Sequence, residues 1–162
     1  MSGIGKGAFL NCSEMASISL PNSVTSIGES AFYKCSNLSS VTMSNSLTSL
    51  GKGAFENCNS LTSITIPDPV TCIEENTFSG CSSLTSVTIP NSVIFIESDA
   101  FYGCSRLASV IIPNSVESIG DVAFAHCSSM TSLILPNGIT SIGLSVFYGC
   151  SGLTSVTIPS SV

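Results

Sequence analysis

The chain has 162 residues, of which 43% are apolar and only 9% are charged, and its ten acidic and four basic residues give a formal net charge of -6. The longest apolar runs are about four residues, as at 93–96, whereas a bilayer-spanning helix needs about 20, so transmembrane segments are excluded. Basic residues do not cluster, which argues against nucleic acid as a partner, because phosphate binding requires a cationic stripe.

The sequence repeats with a period of 23 residues along its whole length. A phenylalanine recurs at this spacing seven times, and a cysteine follows each phenylalanine by three residues. A fixed period of this size is typical of a solenoid, in which each coil buries its apolar side only by stacking on its neighbours. We therefore predict one solenoid domain over residues 1–162, with seven coils numbered by their phenylalanines. The predicted core columns are Phe9, Phe32, Phe55, Phe78, Phe101, Phe124 and Phe147, and Cys12, Cys35, Cys58, Cys81, Cys104, Cys127 and Cys150.

Each coil contains a Leu-x-x-Val-x-Ile segment, as at 84–89, in which apolar residues alternate with Ser or Thr. This period of two predicts a strand with one buried face, and stacked coils then form a parallel β-sheet on one side of the solenoid. Proline follows the strand in six of the seven coils and predicts a corner. Coil 2 has Ser44 in that place and coil 3 carries a second proline, Pro69, so we expect a local difference there.

The rest of each coil is predicted to lie on the other side of the solenoid. Residues 24–28, Val-Thr-Ser-Ile-Gly, indicate a second short strand column. Residues 29–38 then place Phe32, Cys35 and Leu38 at helical spacing, which predicts a single helical or 3-10 turn. The predicted fold class is thus a repeat solenoid with two strand columns and short helical turns.

The 23-residue period and the phrase SIGxxAFxxCSxLTSVTIPNSV resemble leucine-rich repeat proteins, and the BspA-like class in particular. The resemblance covers essentially all of the chain. It implies a right-handed leucine-rich repeat solenoid of a cell-surface or extracellular protein, associated with adhesion to host proteins and to other cells. Thr77 and Val146 replace the usual Ala before Phe, a departure that affects local packing rather than the fold.

The cysteines are predicted to be free thiols. Seven of them share one repeat position, so they form an internal column with parallel side chains about 4.8 Å apart, which disfavours the geometry of a disulfide. Buried thiols then act as small apolar fillers. The eighth, Cys72, stands where other coils carry Ser and is expected to point outward.

Serine and threonine form two rows on the exposed side of the predicted sheet. One hypothesis is that these hydroxyls merely suit a solvated strand, and another is that they form the docking face for a protein or glycan. A third hypothesis is ice binding, although Ser19, Ile111 and Ile134 interrupt the threonine row. The residues of the predicted face are Ser17, Ser40, Thr42, Ser63, Thr65, Ser86, Thr88, Ser109, Ser132, Ser155 and Thr157.

No catalytic, metal or cofactor site is predicted. His126 adjoins Cys127, but the two belong to an outward and an inward column and cannot exchange a proton. The cysteines recur only once per coil, without a C-x-x-C pair, and no glycine-rich phosphate loop is present. The sequence therefore favours a function other than catalysis.

The two ends of the chain show neither a polar cap nor a signal peptide pattern. Uncapped coils expose strand edges and core, so the chain is expected either to be a fragment of a longer array or to stack head to tail into a filament. A structural, filament-forming protein is thus the alternative to an adhesion module.

Overall fold

The structure, a computed structural model, describes residues 2–162 and is a parallel solenoid of about seven coils. Residues 2–162 form short strands and turns, and no helix there is long and apolar enough to cross a membrane. In chain order the strands are β1 (Gly3–Ile4), β2 (Ser17–Ser19), β3 (Ser26–Ile27), β4 (Ser40–Thr42), β5 (Ser49–Leu50), β6 (Ser63–Thr65), β7 (Cys72–Ile73), β8 (Ser86–Thr88), β9 (Phe95–Ile96), β10 (Ser118–Ile119), β11 (Ser132–Ile134), β12 (Ser141–Ile142) and β13 (Ser155–Thr157).

The first strand column consists of β2, β4, β6, β8, β11 and β13. Its strands pair in parallel with a register of one coil, so that Ser17 lies opposite Ser40 and Ser132 opposite Ser155. The β-alternation buries the central apolar residue against the core and leaves the flanking hydroxyls exposed, as in β6. The ladder is not continuous: β2 pairs with β4, β6 with β8, and β11 with β13, while the equivalent segment of coil 5, residues 109–111, is not a regular strand.

The second strand column consists of β1, β3, β5, β7, β9, β10 and β12. It forms one ladder from β1 through β3 to β5 and another from β7 through β9 and β10 to β12. The break between the two ladders falls at the corner that carries Pro69, the place where a local difference was predicted. Proline has no N–H group and restricts the residue before it, so it favours an interruption of regular pairing.

The segment around each phenylalanine is a series of tight turns, and the predicted helical or 3-10 turn is therefore wrong. In every coil the residues two before and two after the phenylalanine have positive φ; in coil 2 these are Ser30 at 53° and Lys34 at 57°. A right-handed helical turn needs consecutive negative φ values. The left-handed residues instead close short turns, such as the bond from Cys35 N–H to the Phe32 carbonyl oxygen at 3.1 Å.

These turns also form the most complete backbone ladder between coils. The N–H groups of the phenylalanine and of its two left-handed neighbours donate to carbonyl oxygens of the next coil. In coil 2, Ser30 donates to Lys52, Phe32 to Ala54 at 2.8 Å, and Lys34 to Glu56. The same three bonds join every successive pair of coils from coil 1 to coil 7. The turn column, more than the strand column, therefore holds the coils in register.

The core is a stack of like residues. Successive phenylalanine rings lie 5.1 to 6.2 Å apart between centroids, with interplanar angles of 3° to 15°. The rings from Phe32 to Phe124 are fully buried, whereas Phe9 and Phe147 are partly buried because each stacks on a single neighbouring ring. Thr77 replaces Ala in this core, and its hydroxyl donates to the Glu74 carbonyl oxygen at 2.6 Å, which satisfies the buried polar group.

Candidate binding face

The residues predicted to form the docking face lie together on the outer side of the first strand column, and all of them are exposed. We call this surface the Ser/Thr face; its residues are Ser17, Ser40, Thr42, Ser63, Thr65, Ser86, Thr88, Ser109, Ser132, Ser155 and Thr157. Where strands pair, identical positions of neighbouring coils stand side by side, as Thr65 does with Thr88. The arrangement produces two rows of hydroxyls along the solenoid axis.

Next to these rows, threonine side chains bond the coils together. The hydroxyl of Thr85 donates to the Thr62 carbonyl oxygen at 3.0 Å, and Thr154 donates to Thr131 at 2.9 Å. These hydroxyls are therefore engaged with the backbone of the preceding coil. By contrast, the hydroxyls of the Ser/Thr face make no such bond to a neighbouring coil and can orient toward a partner or solvent.

The Ser/Thr face carries no formal charge. None of the chain's four basic and ten acidic residues falls in the five-residue strand segment 16–20 or in its equivalents in the other six coils. The ion pairs lie elsewhere: Lys6 with Glu29 at 2.8 Å and Lys52 with Glu75 at 3.1 Å both join successive coils just before the phenylalanine turns. A face without cations is poorly suited to a phosphorylated or sulfated ligand, whose charge requires cationic partners.

Two apolar residues interrupt the hydroxyl rows. Ile111 is 85% exposed and Ile134 is 73% exposed, and both occupy the position of Thr42 and Thr88 in other coils. The sequence showed them only as gaps in a threonine row, and sequence reasoning did not include them in the binding face. Fully exposed isoleucines at neighbouring positions of one row are an apolar patch within an otherwise polar face.

The cysteine column lies inside the solenoid from Cys35 to Cys150, where the thiols are buried. Burial raises the pKa of Cys58 and of Cys127 to about 12. A thiol with such a pKa stays protonated at neutral pH, so it is a poor nucleophile and a poor metal ligand. These residues have the chemistry of apolar fillers.

Two cysteines differ from that column. Cys12 was expected to be buried and is exposed, because each thiol of the column reaches toward the preceding coil, as Cys150 does to the Phe124 carbonyl oxygen, and no described coil precedes coil 1. Cys72 is a free, half-buried thiol rather than a fully outward one, and burial together with Glu74 and Glu97 raises its pKa to about 12.

His126 and Cys127 are separated by the geometry of the turn. The thiol of Cys127 is buried and donates to the Phe101 carbonyl oxygen at 3.4 Å. His126 is exposed and packs edge-on between Tyr102 and Tyr148, with ring centroids 5.3 and 5.2 Å away. Within residues 2–162 no three His, Cys, Asp or Glu side chains are grouped as metal ligands. The arrangement offers no pair for proton transfer.

Comparison with known proteins identifies the repeat. The sequence model of the family described as BspA type Leucine rich repeat region matches residues 2–94 and 48–162, in six copies. The match therefore covers nearly the whole chain. None of the curated proteins matches the sequence at a significant level.

Solved structures of bacterial proteins share the fold. The leucine-rich repeat protein of T. pallidum, TpLRR, superposes with a TM-score of 0.89 and 38% identity over 93% of this chain and 71% of that chain. A leucine-rich repeat protein from Bacteroides ovatus gives a TM-score of 0.72 and 33% identity over 97% of this chain, which spans 46% of that protein. The pneumococcal vaccine antigen PcpA, at 22% identity, a TM-score of 0.63 and coverage of 100% of this chain and 55% of that chain, is similar in fold.

Proposed function

We propose that this chain, which belongs to the BspA-type leucine-rich repeat family, is a non-enzymatic protein-binding or adhesion module of a cell-surface or extracellular protein. Its ligand docks on the Ser/Thr face. The observation that carries the proposal is that this face is exposed and uncharged in all seven coils, whereas the residues of the chain that could perform chemistry are buried thiols or isolated side chains. Extended regular surfaces are what solenoids use for binding.

The chemistry of the face favours a protein over an acidic glycan or a nucleic acid. Hydroxyls donate and accept hydrogen bonds without the desolvation cost of a charge, so they suit a neutral, partly apolar partner surface. The net charge of -6 resides on the other surfaces, where it supports solubility. PcpA, which shares the fold, is a pneumococcal vaccine antigen, and a surface location is part of the proposal for this chain.

The proposal is tested by placing a charge in the middle of the face. Ser86→Lys adds a cation to an exposed strand position of coil 4, while Asn57→Lys adds the same charge on the turn side, where Lys34 shows that a lysine is accommodated at positive φ. Binding of the purified chain to a panel of extracellular-matrix proteins and to cultured epithelial cells is measured for both variants. We expect Ser86→Lys to weaken binding about tenfold or more, as for charge burial at an interface core, and Asn57→Lys to leave it unchanged. Equal binding by the two variants contradicts the proposal.

A structural, filament-forming protein is a second candidate, favoured by the polarity of the turn ladder. Each coil donates three N–H groups toward one side and accepts three on the other, so the two sides of any coil are complementary. A head-to-tail contact of that kind builds an open filament. Electron microscopy of the concentrated protein decides the matter: ordered fibres support stacking, and isolated short rods count against it.

A further inference from the structure

We propose that the apolar patch of the Ser/Thr face, centred on Ile111 and Ile134, is the anchor site for an amphipathic helix of the protein partner, laid along the solenoid axis. This inference rests on the proposed function and specifies the partner's chemistry. It draws on the exposure of the two isoleucines, on the shape of the surface beside them and on the rise from one coil to the next.

Ile111 stands between two shallow grooves. The larger, of about 430 Å³, is lined by Val110, Ile112 and Pro136 and lies between the side chains of Ile111 and Ile134. The second, of about 340 Å³, lies on the other side of Ile111, against Thr88 of coil 4. Each groove runs between two adjacent coils, so the two grooves are neighbours, one coil apart along the solenoid.

The backbone at this place differs from its neighbours. Residues 109–111 are not a regular strand, and coil 5 lacks the strand pairing that joins coil 3 to coil 4 and coil 6 to coil 7. Ile111 belongs to this irregular segment, which separates the paired strands β6–β8 from β11–β13, and Ile134 is the last residue of β11, the next strand along the column. Within coils 3 to 7, Ile111 thus lies in the one segment of the column that pairs with neither neighbour, and Ile134 lies on the adjacent, unpaired side of β11.

The spacing of the grooves matches a helix. Around coil 5 the stacked Phe78, Phe101 and Phe124 rings are 5.5 and 5.2 Å apart, which gives the rise per coil. Side chains three or four residues apart on a helix are separated by about 5–6 Å, so a helix parallel to the solenoid axis places one residue in each groove. Alternate residues of an extended strand are about 6.6–6.8 Å apart and fall out of step with the coils.

The charge of the surface favours the same occupant. No charged side chain lies in the strand segments of coils 4, 5 and 6, so the apolar side of the helix meets the isoleucines and its flanking polar residues meet Ser86, Ser109 and Ser132. Apolar anchors at successive turns with a polar margin are the features of helix-in-groove recognition.

The test uses displayed peptides of about 20 residues with an Ala/Glu/Lys framework, long enough to be helical, in which two positions a turn apart are varied. A twin library carries a central proline that prevents the helix. Both are selected on the intact chain, and enriched peptides are then measured free in solution by fluorescence anisotropy. We expect enrichment only from the helical library, with Leu, Ile, Met or Phe at both varied positions.

Variants of the chain locate the site. Ile111→Thr and Ile134→Thr restore the residue that this row carries in coils 2, 3, 4 and 7, and both side chains are exposed, so the fold is retained. Each is expected to weaken peptide binding about tenfold. Leu144→Thr is the matched control, because Leu144 is 76% exposed but lies beside the second strand column; it should leave the affinity unchanged.

Several outcomes overturn the inference: no enrichment, enrichment of the proline library alone, or an affinity that the isoleucine variants leave unchanged. The inference is also wrong if the parent chain sediments as a dimer and a variant with both Ile111→Thr and Ile134→Thr sediments as a monomer, because the patch then binds a second copy of the chain. Matrix or cell binding that Ser86→Lys abolishes but the isoleucine variants do not means that the face binds while this inference fails. If neither Ser86→Lys nor the isoleucine variants weaken binding to matrix proteins or cells, the proposed function is wrong as well.

Discussion

The thiol of Cys58 donates a hydrogen bond to the carbonyl oxygen of Phe32, 26 residues earlier in the chain, at 3.2 Å. The same oxygen accepts the N–H of Cys35 at 3.1 Å, so both of its lone pairs are used inside the core. The thiol bond recurs at all six cysteines of the buried column, from Cys35 to Cys150 and excluding Cys72, with distances of 3.1 to 3.4 Å. Cysteine therefore acts both as a small apolar filler and as a weak donor that ties each coil to the one before it.

This thiol column predicts a loss of stability at alkaline pH. Burial raises the pKa of Cys58 and Cys127 from the ordinary 9.0 to about 12, so between these values the unfolded chain releases protons that the folded chain retains. The stabilisation is therefore complete below about pH 9 and is lost as the pH rises toward 12, with a slope of at most about 1.4 kcal/mol per pH unit for each buried thiol.

Urea unfolding at several pH values measures this slope. The Cys58→Ala variant should show a shallower decline above about pH 9 than the parent chain, since one titrating thiol has been removed. Parallel declines in the two proteins would show that the buried thiols do not cause the pH dependence.

Thiol modification should separate the cysteines by burial. Iodoacetamide at mildly alkaline pH is expected to modify the exposed Cys12 first, while Cys81 and Cys104 react only after unfolding, because they are fully buried and burial raises their pKa well above the ordinary value. Cys72 should also react slowly, since its pKa is raised to about 12. Peptide mass spectrometry of the native protein over time gives the order, and modification of Cys81 as fast as Cys12 would contradict the burial of the column.

Removing one ring from the phenylalanine stack should be costly. Phe101 is fully buried between Phe78 and Phe124, and Phe101→Ala leaves a cavity that neighbouring coils cannot close without breaking their register. We expect a loss of about 3–5 kcal/mol in the free energy of unfolding, measured with chemical denaturant. Phe9→Ala is the control and should cost less, because Phe9 is only partly buried. A cost below about 1 kcal/mol for Phe101→Ala would place that ring outside the core.

Val122 occupies a position where its side chain is unfavourable. Its φ is 50°, in the left-handed region that β-branched residues rarely adopt, and the equivalent residue of coil 4 is Asn76 at 59°. Val122→Asn should stabilise the chain by about 1 kcal/mol, the cost of the left-handed conformation that asparagine tolerates better. The reverse change, Asn76→Val, should destabilise it by a similar amount. Denaturation midpoints that move in the same direction for both variants would rule out backbone strain as the cause.

Periodicity in the sequence predicted the columns because residues one period apart must occupy equivalent places in a stack. The phenylalanine stack and the exposed hydroxyl rows lie where that reasoning puts them, and the pairing of the second strand column is interrupted next to Pro69, between β5 and β7. The helical turn was predicted wrongly, because the spacing of Phe32, Cys35 and Leu38 fits a helix as well as it fits a series of tight turns. The signs of φ at Ser30 and Lys34 distinguish the two; neither residue type indicates a left-handed conformation, although the equivalent positions of coil 3 carry Gly53 and Asn57, which do.

Repetition at a fixed period constrains every unit in the same way, so the amino-acid sequence is sufficient to predict a stack of equivalent coils and the side chains that share a column. Three features emerge only from the folded chain: the backbone groups that connect the coils, the exposure of Cys12, and the grooves beside Ile111 and Ile134, which in the sequence merely interrupt a row. The physical reason is that hydrogen-bond direction and surface shape depend on backbone dihedral angles and on neighbouring coils, and residue identity at one position specifies neither.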